Sequence, residues 1–286
     1  MRTKEKSSRK GVLKGPASIL AGRRQRSPHE YRNPIKGIIT AGGSGTRLYP
    51  LTAATNKHLL SLYDKPVIYH AVAKLVEAGI DQIMIVTNPQ HIEDFVKLFG
   101  SGKDFISKNT GRQIQIVYTI QNEPHGIGHT LSVARDYIGN DPCVLYLGDN
   151  IFEDDIKPHI DNFKGGAKIF LKKVTDPERF GVAVLDKKGK VISLQEKPRK
   201  PKSPYAVTGL YIYDNTVVEK SRYQIRSPRG EFEITSINDE YLKEGKLQAA
   251  ILKKEWFDIG TFDTLLDASL YMRHKKNGKA GQKKLL

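Results

Sequence analysis

Residues Ile35 to Leu48 constrain this chain more than any other stretch. A β-branched apolar run (Ile35, Ile38, Ile39, Thr40) passes into Gly42-Gly43-Ser44-Gly45 and ends in Thr46-Arg47-Leu48. The apolar run reads as a buried strand. Glycines at a strand exit let the backbone bend and bring N–H groups close to phosphate oxygens. Arg47 adds a planar cation that suits a phosphate chain. No Gly-Lys-Ser/Thr closes the loop, so it is not a P-loop, and Leu48 stands where a dinucleotide fingerprint needs a small residue. A glycine-rich turn alone is the bland alternative; the arginine favours phosphate contact.

The 286 residues, 38% hydrophobic, suffice for a sizeable core. No run of 18 apolar residues occurs, so no membrane-spanning helix and no membrane partner are expected. Cys143 is the only cysteine, which excludes an internal disulfide and fits a reducing, cytoplasmic compartment. The net charge of +16 is unevenly spread. Residues 1–34 carry +8 and residues 273–286 carry +6, leaving the middle nearly neutral. Residues 1–34 are therefore read as a basic, disordered extension without the apolar core of a secretory signal, and residues 272–286 as a basic C-terminal tail. Basic tails can hold nucleic acid, but solvated tails are the preferred reading.

Between them, residues 35–271 alternate strand and helix patterns. Strands are expected at Ile35–Thr40, Ile83–Thr87, Ile114–Tyr118 and Cys143–Leu147, and helices at Val67–Ala78, His91–Phe99 and about His129–Tyr137. That alternation predicts right-handed βαβ units, an α/β fold and a mainly parallel sheet covered on both faces. Strands at Ala167–Leu171, Gly181–Leu185, Val191–Leu194, Val207–Tyr213 and Leu247–Leu252, with helices at Glu233–Glu244 and Thr261–Tyr271, extend the same sheet. No linker separates the halves.

Ligands of open α/β sheets gather beyond the carboxyl ends of the strands. The expected strand exits carry Gly42 to Arg47, Gln121, Gly148-Asp149-Asn150, Glu196-Lys197 and Asp258. Asp149 follows directly on a strand, with Gly148 clearing space beside it. Asp149 and Asp258 together suit Mg²⁺, which takes one or two protein carboxylates plus phosphate oxygens. Either one alone would be read as a cap or turn residue. Lys57 and Lys197 are candidate charge neutralisers. His58, His125 and His129 lack zinc spacing, and no G-x-S-x-G or serine triad is present.

Further segments then fall into one pattern: Gly42 to Thr52, Asn56-Lys57-His58-Leu59-Leu60, Tyr63-Asp64-Lys65-Pro66, Leu147 to Phe152, Asp176 to Val182, Glu196-Lys197-Pro198, Ala206 to Tyr211, Arg229-Gly230-Glu231 and Trp256 to Thr261. From about Ile35 to Tyr271 the chain resembles the sugar-1-phosphate nucleotidylyltransferase family, most nearly its glucose-1-phosphate thymidylyltransferase branch. The resemblance implies a Rossmann-like three-layer αβα sandwich with a mixed, mainly parallel sheet. It implies that dTTP and α-D-glucose 1-phosphate give dTDP-glucose and pyrophosphate by direct displacement. In that pattern Gly42, Gly43, Ser44, Gly45, Thr46 and Arg47 hold the triphosphate, and Arg47 stabilises the departing pyrophosphate. Lys57 assists at the phosphates; Gln121 and the backbone at Gly126 read the base; Asp149 and Asp258 hold Mg²⁺. Gly181, Glu196, Val207 and Tyr211 line the sugar pocket, with Lys197 and Arg229 on the sugar phosphate. Departures from the pattern are Ser61 for proline, Phe180 for tyrosine, Ile259 for threonine and His129 for glutamine. The altered loop at His129 keeps UTP open beside dTTP. A catalytically silent module that binds nucleic acid or partners through basic tails is the alternative of another class. A homo-oligomer is a further expectation, and the resemblance is to a short form, without the C-terminal regulatory helices of longer members.

Overall fold

The computed structural model describes residues 35–283 except Ser44 and Pro124. The basic extension 1–34, Ser44 and residues 284–286 lie outside the described residues. In chain order the strands are β1 (Lys36–Ala41), β2 (Ser61–Leu62), β3 (Lys65–Pro66), β4 (Gln82–Thr87), β5 (Gln115–Ile120), β6 (Cys143–Leu147), β7 (Asn150–Phe152), β8 (Ala167–Lys173), β9 (Gly181–Leu185), β10 (Val191–Glu196), β11 (Tyr205–Tyr213), β12 (Leu247–Ile251) and β13 (Trp256–Asp258). The helices are α1 (Val67–Glu77), α2 (Ile92–Phe99), α3 (Ile127–Val133), α4 (Arg135–Ile138), α5 (Lys157–Asp161), α6 (Val217–Arg222), α7 (Ile234–Lys243) and α8 (Phe262–Lys283).

Strand β1 is central because both its faces are apolar. Successive strand side chains point to opposite faces, so Ile39 and Ala41 pack with Ile68, Val72 and Leu75 of α1 and Phe95 and Phe99 of α2. Ile38 packs on the other side with Leu131 of α3, Ile138 of α4 and Ile237 and Tyr241 of α7. Two cores separated by one sheet make the three layers. Each fully buried isoleucine or leucine contributes roughly 1.5–3 kcal/mol, so β1 cannot shift by one residue without turning both faces over.

The sheet is mixed and has nine strands. Its path is β10-β9-β11-β6-β1-β4-β5, with β8 beside β11 and β12 beside β8. Strands β6, β1, β4 and β5 run parallel, whereas β11 is antiparallel to β6, β8 and β9. Both halves of the chain thus share one sheet.

The structure adds β2, β3, β7, α5 and α6 to the elements expected from the sequence, and three expected features differ. The 127–138 helix starts two residues early, where Gly126 (φ 95°) caps it in a conformation open to glycine, and it breaks at Ala134. Helix α8, expected to close at Tyr271, runs to Lys283. Ion pairs from Lys275 to Glu153 and from Lys276 to Asp64 (2.6 Å) tether it just beyond Tyr271, and residues 272–283 are helix rather than free tail. Finally, Asp258 ends a strand of a separate two-stranded ribbon, β7–β13, and not of the main sheet. The expected N-cap of α8 is present: Thr261 Oγ1 accepts from the Thr264 N–H at 3.3 Å.

Gly148 shows why the strand exit is glycine. A Cβ there would lie 2.6 Å from the Thr40 carbonyl oxygen and 3.0 Å from His58 Cδ2. Gly148→Ala is expected to destabilise by about 1–3 kcal/mol. That would be read as a Tm lowered by roughly 2–10 °C; an unchanged Tm would contradict this packing.

Candidate active site

The glycine loop is held open from both sides. Gly45 is left-handed (φ 63°) and leads into the turn Thr46–Leu48. Thr52 Oγ1 donates to the Gly45 carbonyl at 2.9 Å. Asn56 ties the next segment to β1 by donating from Nδ2 to the Ala41 carbonyl (2.9 Å). Its Oδ1 accepts the His58 N–H (2.9 Å) and lies 2.6 Å from His58 Nδ1. Between these two anchors Lys57 is aimed inward, its stem passing over Gly43, where a Cβ would sit 3.1 Å from Lys57 Cε. The Arg47 guanidinium lies over Gly260, where a Cβ would be 2.9 Å away. Glycine at 43 and 260 thus makes room for the two cations.

Lys57 reaches Asp149, and their side chains are 16% and 14% exposed. Burial pushes the Asp149 carboxyl upward, but the charge of Lys57 and hydrogen bonds from Lys57 and Asn150 outweigh it and hold it below the usual range. His58 is neutral, driven down to about 3 by burial and then by Lys57, so Lys57 and not His58 supplies the positive charge beside Asp149 at neutral pH. Asp258 goes the opposite way. Burial, then the charge of Asp149, pushes it up to about 6 despite Lys57, Arg47 and Arg179.

Asn150 sits between these acids and donates from Nδ2 to Asp149 Oδ1 (3.0 Å) and to Asp258 Oδ1 (3.2 Å). Its place follows from the ribbon register, in which Asp258 pairs with Asn150. The donor set fits a hard divalent cation: two carboxylates, all oxygen, with more negative charge than Lys57 neutralises. Among the described residues no group of three or more His, Cys, Asp or Glu side chains forms a complete cage. Any remaining ligands would be water or phosphate.

Two clefts share Lys57 and Asp149 in their lining. One, of about 280 Å³, is lined by Gly42, Gly43, Lys57, Gln121, Gly126 and Asp149. Gln121 is 8% exposed there, and its Oε1 accepts from Thr130 Oγ1 at 3.3 Å. The second, of about 520 Å³, includes Arg47, Lys57, Asp149, Asp258, Glu196 and Tyr211 in its lining, together with Gly181, Lys197, Val207 and Arg229. Gly181 has no side chain to intrude between Thr235 and Glu196: a Cβ would be 3.2 Å from Thr235 Oγ1. Burial raises the Glu196 carboxyl despite a hydrogen bond from Thr235. Lys197 adopts φ 39° at the strand end, an unusual backbone for a lysine. The expected residues other than Gly45 and Thr46 therefore line one or both of the two clefts, with Ser44 outside the described residues; Gly45 and Thr46 line neither.

Arg229 lines the second cleft, but its guanidinium is shared by Glu231 (3.0 Å), Glu233 (3.0 Å) and Glu196 (3.7 Å). Sequence reading missed this acidic clamp and, although it placed Asn150 at a strand exit and Arg179 and Trp256 in the family pattern, gave none of the three a role. Of the departures from the family pattern, Phe180 packs edge-on against Trp256 (5.3 Å between centroids). Ile259 is buried in a small apolar cluster under α8. His129 stacks on Phe232 at 5.9 Å, and its Nδ1 is buried without a partner.

The chain is similar to known proteins of one family. The nucleotidyl transferase family matches residues 36–275. A glucose-1-phosphate thymidylyltransferase of Mycolicibacterium smegmatis is 45% identical over 245 residues, covering 84% of this chain and 82% of that protein. One from Neisseria meningitidis is 41% identical over 250 residues, covering 85% and 84%. Among solved structures, a Bacillus anthracis protein described as a glucose-1-phosphate thymidylyltransferase, in complex with sucrose, superposes with a TM-score of 0.78 at 46% identity, covering 84% of this chain and 95% of that one. A UDP-glucose pyrophosphorylase bound to UDP-glucose, 24% identical with a TM-score of 0.72 and covering 84% and 99%, shares the fold. No helix among the described residues is long and apolar enough to cross a membrane. By this match the chain belongs to the nucleotidyl transferase family.

Proposed function

We propose that this chain transfers a thymidylyl group from dTTP to α-D-glucose 1-phosphate, releasing pyrophosphate. The observation that carries the reading is the junction of the two clefts, since Lys57 and Asp149 line both. A nucleotide in the smaller cleft and a sugar phosphate in the larger would meet there, and holding two reactants in line supplies much of such a barrier. The names of the relatives, glucose-1-phosphate thymidylyltransferases at 41–45% identity, support the same substrates.

In this reading the Gly42–Gly45 backbone receives the triphosphate, Arg47 neutralises the departing pyrophosphate, and Lys57 draws charge from the α-phosphate. Mg²⁺ bound by Asp149 and Asp258 would supply charge neutralisation at the same phosphate. Gln121 and the backbone at Gly126 face the base. Glu196, with Val207 and Tyr211 behind it, accepts sugar hydroxyls, while Lys197 takes the sugar phosphate. Arg229, held by three carboxylates, contributes by keeping Glu196 in place. The reaction needs no nucleophilic side chain: the sugar phosphate oxygen attacks the α-phosphorus and pyrophosphate leaves.

The test is a matrix of dTTP and UTP against glucose 1-phosphate and its epimers, followed by pyrophosphate release. We expect the highest kcat/KM with dTTP and glucose 1-phosphate. A strong UTP preference would overturn the choice of base, and no turnover with any pair would favour the silent module.

A further inference from the structure

Every polar atom of the Asn150 side chain is engaged, and the engagement fixes its orientation. The residue is 1% exposed. Its Oδ1 accepts from the Trp256 indole Nε1–H (2.7 Å) and from the Gly209 backbone N–H (3.2 Å). An indole and a backbone N–H are donors only, so the amide cannot turn over without facing two donors with its NH₂. Nδ2 therefore points at the carboxylates and donates to both, Asp149 at 3.0 Å and Asp258 at 3.2 Å. The backbone enforces the same arrangement. Trp256 pairs with Phe152 and Asp258 with Asn150 across the ribbon, and the Ile259 N–H donates to the Asp149 carbonyl (2.8 Å). Gly209 has no side chain because a Cβ would lie 2.7 Å from the Asn150 amide.

The choice of an amide is informative. Two adjacent carboxylates repel, and a lysine between them would cancel half of their charge. A neutral amide draws both to one point and leaves their charge available. Lys57 holds the other oxygen of Asp149, so that acid keeps a defined direction before any ligand arrives.

We propose that Asn150, oriented by Trp256, is a positioning residue that presets the spacing of Asp149 and Asp258 for a divalent cation. This rests on the metal reading given above. It also makes Trp256 a hinge shared by two functions, because the same ring lines the larger cleft and packs on Phe180.

Mn²⁺ is the probe, titrated into the full chain with and without a non-hydrolysable dTTP analogue and followed by electron paramagnetic resonance. Asn150→Ala is expected to bind Mn²⁺ about 10–100-fold more weakly than the wild type, the range for loss of an outer partner of metal ligands. Trp256→Phe keeps the ring but removes the N–H, and it should weaken Mn²⁺ at least several-fold, roughly the low end of that range. Trp256 is the only tryptophan, so Mn²⁺ should also change the intrinsic fluorescence of the wild type at lower concentration than that of Asn150→Ala. Wild-type Mn²⁺ affinity in a folded Asn150→Ala or Trp256→Phe protein overturns the proposal. If Asn150→Ala fails to fold, Trp256→Phe, which touches neither acid, decides; unfolding of both would assign the network to stability and overturn it too. A wild type that binds no Mn²⁺ in either condition removes the metal reading itself. Wild-type binding with unaffected variants removes only the role of Asn150.

Discussion

Asp149→Asn is expected to slow pyrophosphate release by roughly 10²–10³-fold at saturating substrates, with little change in Tm. The substitution keeps the shape and removes one of two carboxylates, the one that touches both clefts. Charge neutralisation at a transferring phosphoryl group is worth several kcal/mol, and each 1.36 kcal/mol is a factor of ten in rate. Stability should hold because two effects oppose. Lys57 loses its closest partner, while Asp258 loses the neighbouring charge that helps push it up. Steady-state rates alongside a melting curve check this directly. A rate within threefold of the wild type would remove Asp149 from the phosphate site.

Lys57→Met should cost both rate and stability, and its stability loss should depend on pH. We expect a rate loss of roughly 10²–10³-fold, as for removal of one preorganised group that stabilises developing charge. For stability, the sign follows from proton counting. Asp258 already titrates above its ordinary range because of burial and Asp149, and Asp149 stays low largely because of Lys57. Without Lys57 both folded-state values rise, so the folded protein binds more protons than the unfolded chain. Stability must then fall as pH rises through the range from about 4 to beyond 6. In chelator, the variant should be less stable than wild type by about 2–3 kcal/mol at pH 8, at the low end for a broken buried pair because both side chains are partly exposed. The difference should shrink at pH 5 and shrink again when Mg²⁺ is added. Parallel Tm–pH curves for the two proteins would contradict the electrostatic account.

Much of the scaffold was legible in the sequence because its signals are local. The strands Lys36–Ala41, Gln82–Thr87 and Cys143–Leu147 are continuous apolar runs, as strands buried on both faces must be. Gly148 was recognisable as a residue that clears space, and the structure supplies the clash that a side chain would meet. The ribbon β7–β13 was not legible. Three residues per strand are too few for any periodicity, and its pairing spans more than 100 positions. Nor was the length of α8. Residues 272–283 are polar and basic and read as solvated tail, whereas ion pairs from Lys275 and Lys276 to Glu153 and Asp64 hold the first part of that segment. The clamp on Arg229 escaped for a similar reason. Glu231 and Glu233 are neighbours in sequence, but Glu196 arrives from another strand.

By itself the sequence determined a glycine-rich loop behind a doubly buried strand, the α/β alternation around it, and the residue types needed for phosphate and metal chemistry. Only the tertiary structure decided how these meet. It placed Lys57 on Asp149, hung Asp258 from a separate ribbon instead of the main sheet, and set one amide, locked by an indole and a backbone N–H, between the two acids. The physical reason is range. Apolar patterning and turn chemistry act over a few residues and can be read in order along the chain. The charge, burial and direction of the Asp149–Asp258 pair come from groups that only folding brings within 3–4 Å, and those contacts leave no mark on the local pattern of either partner.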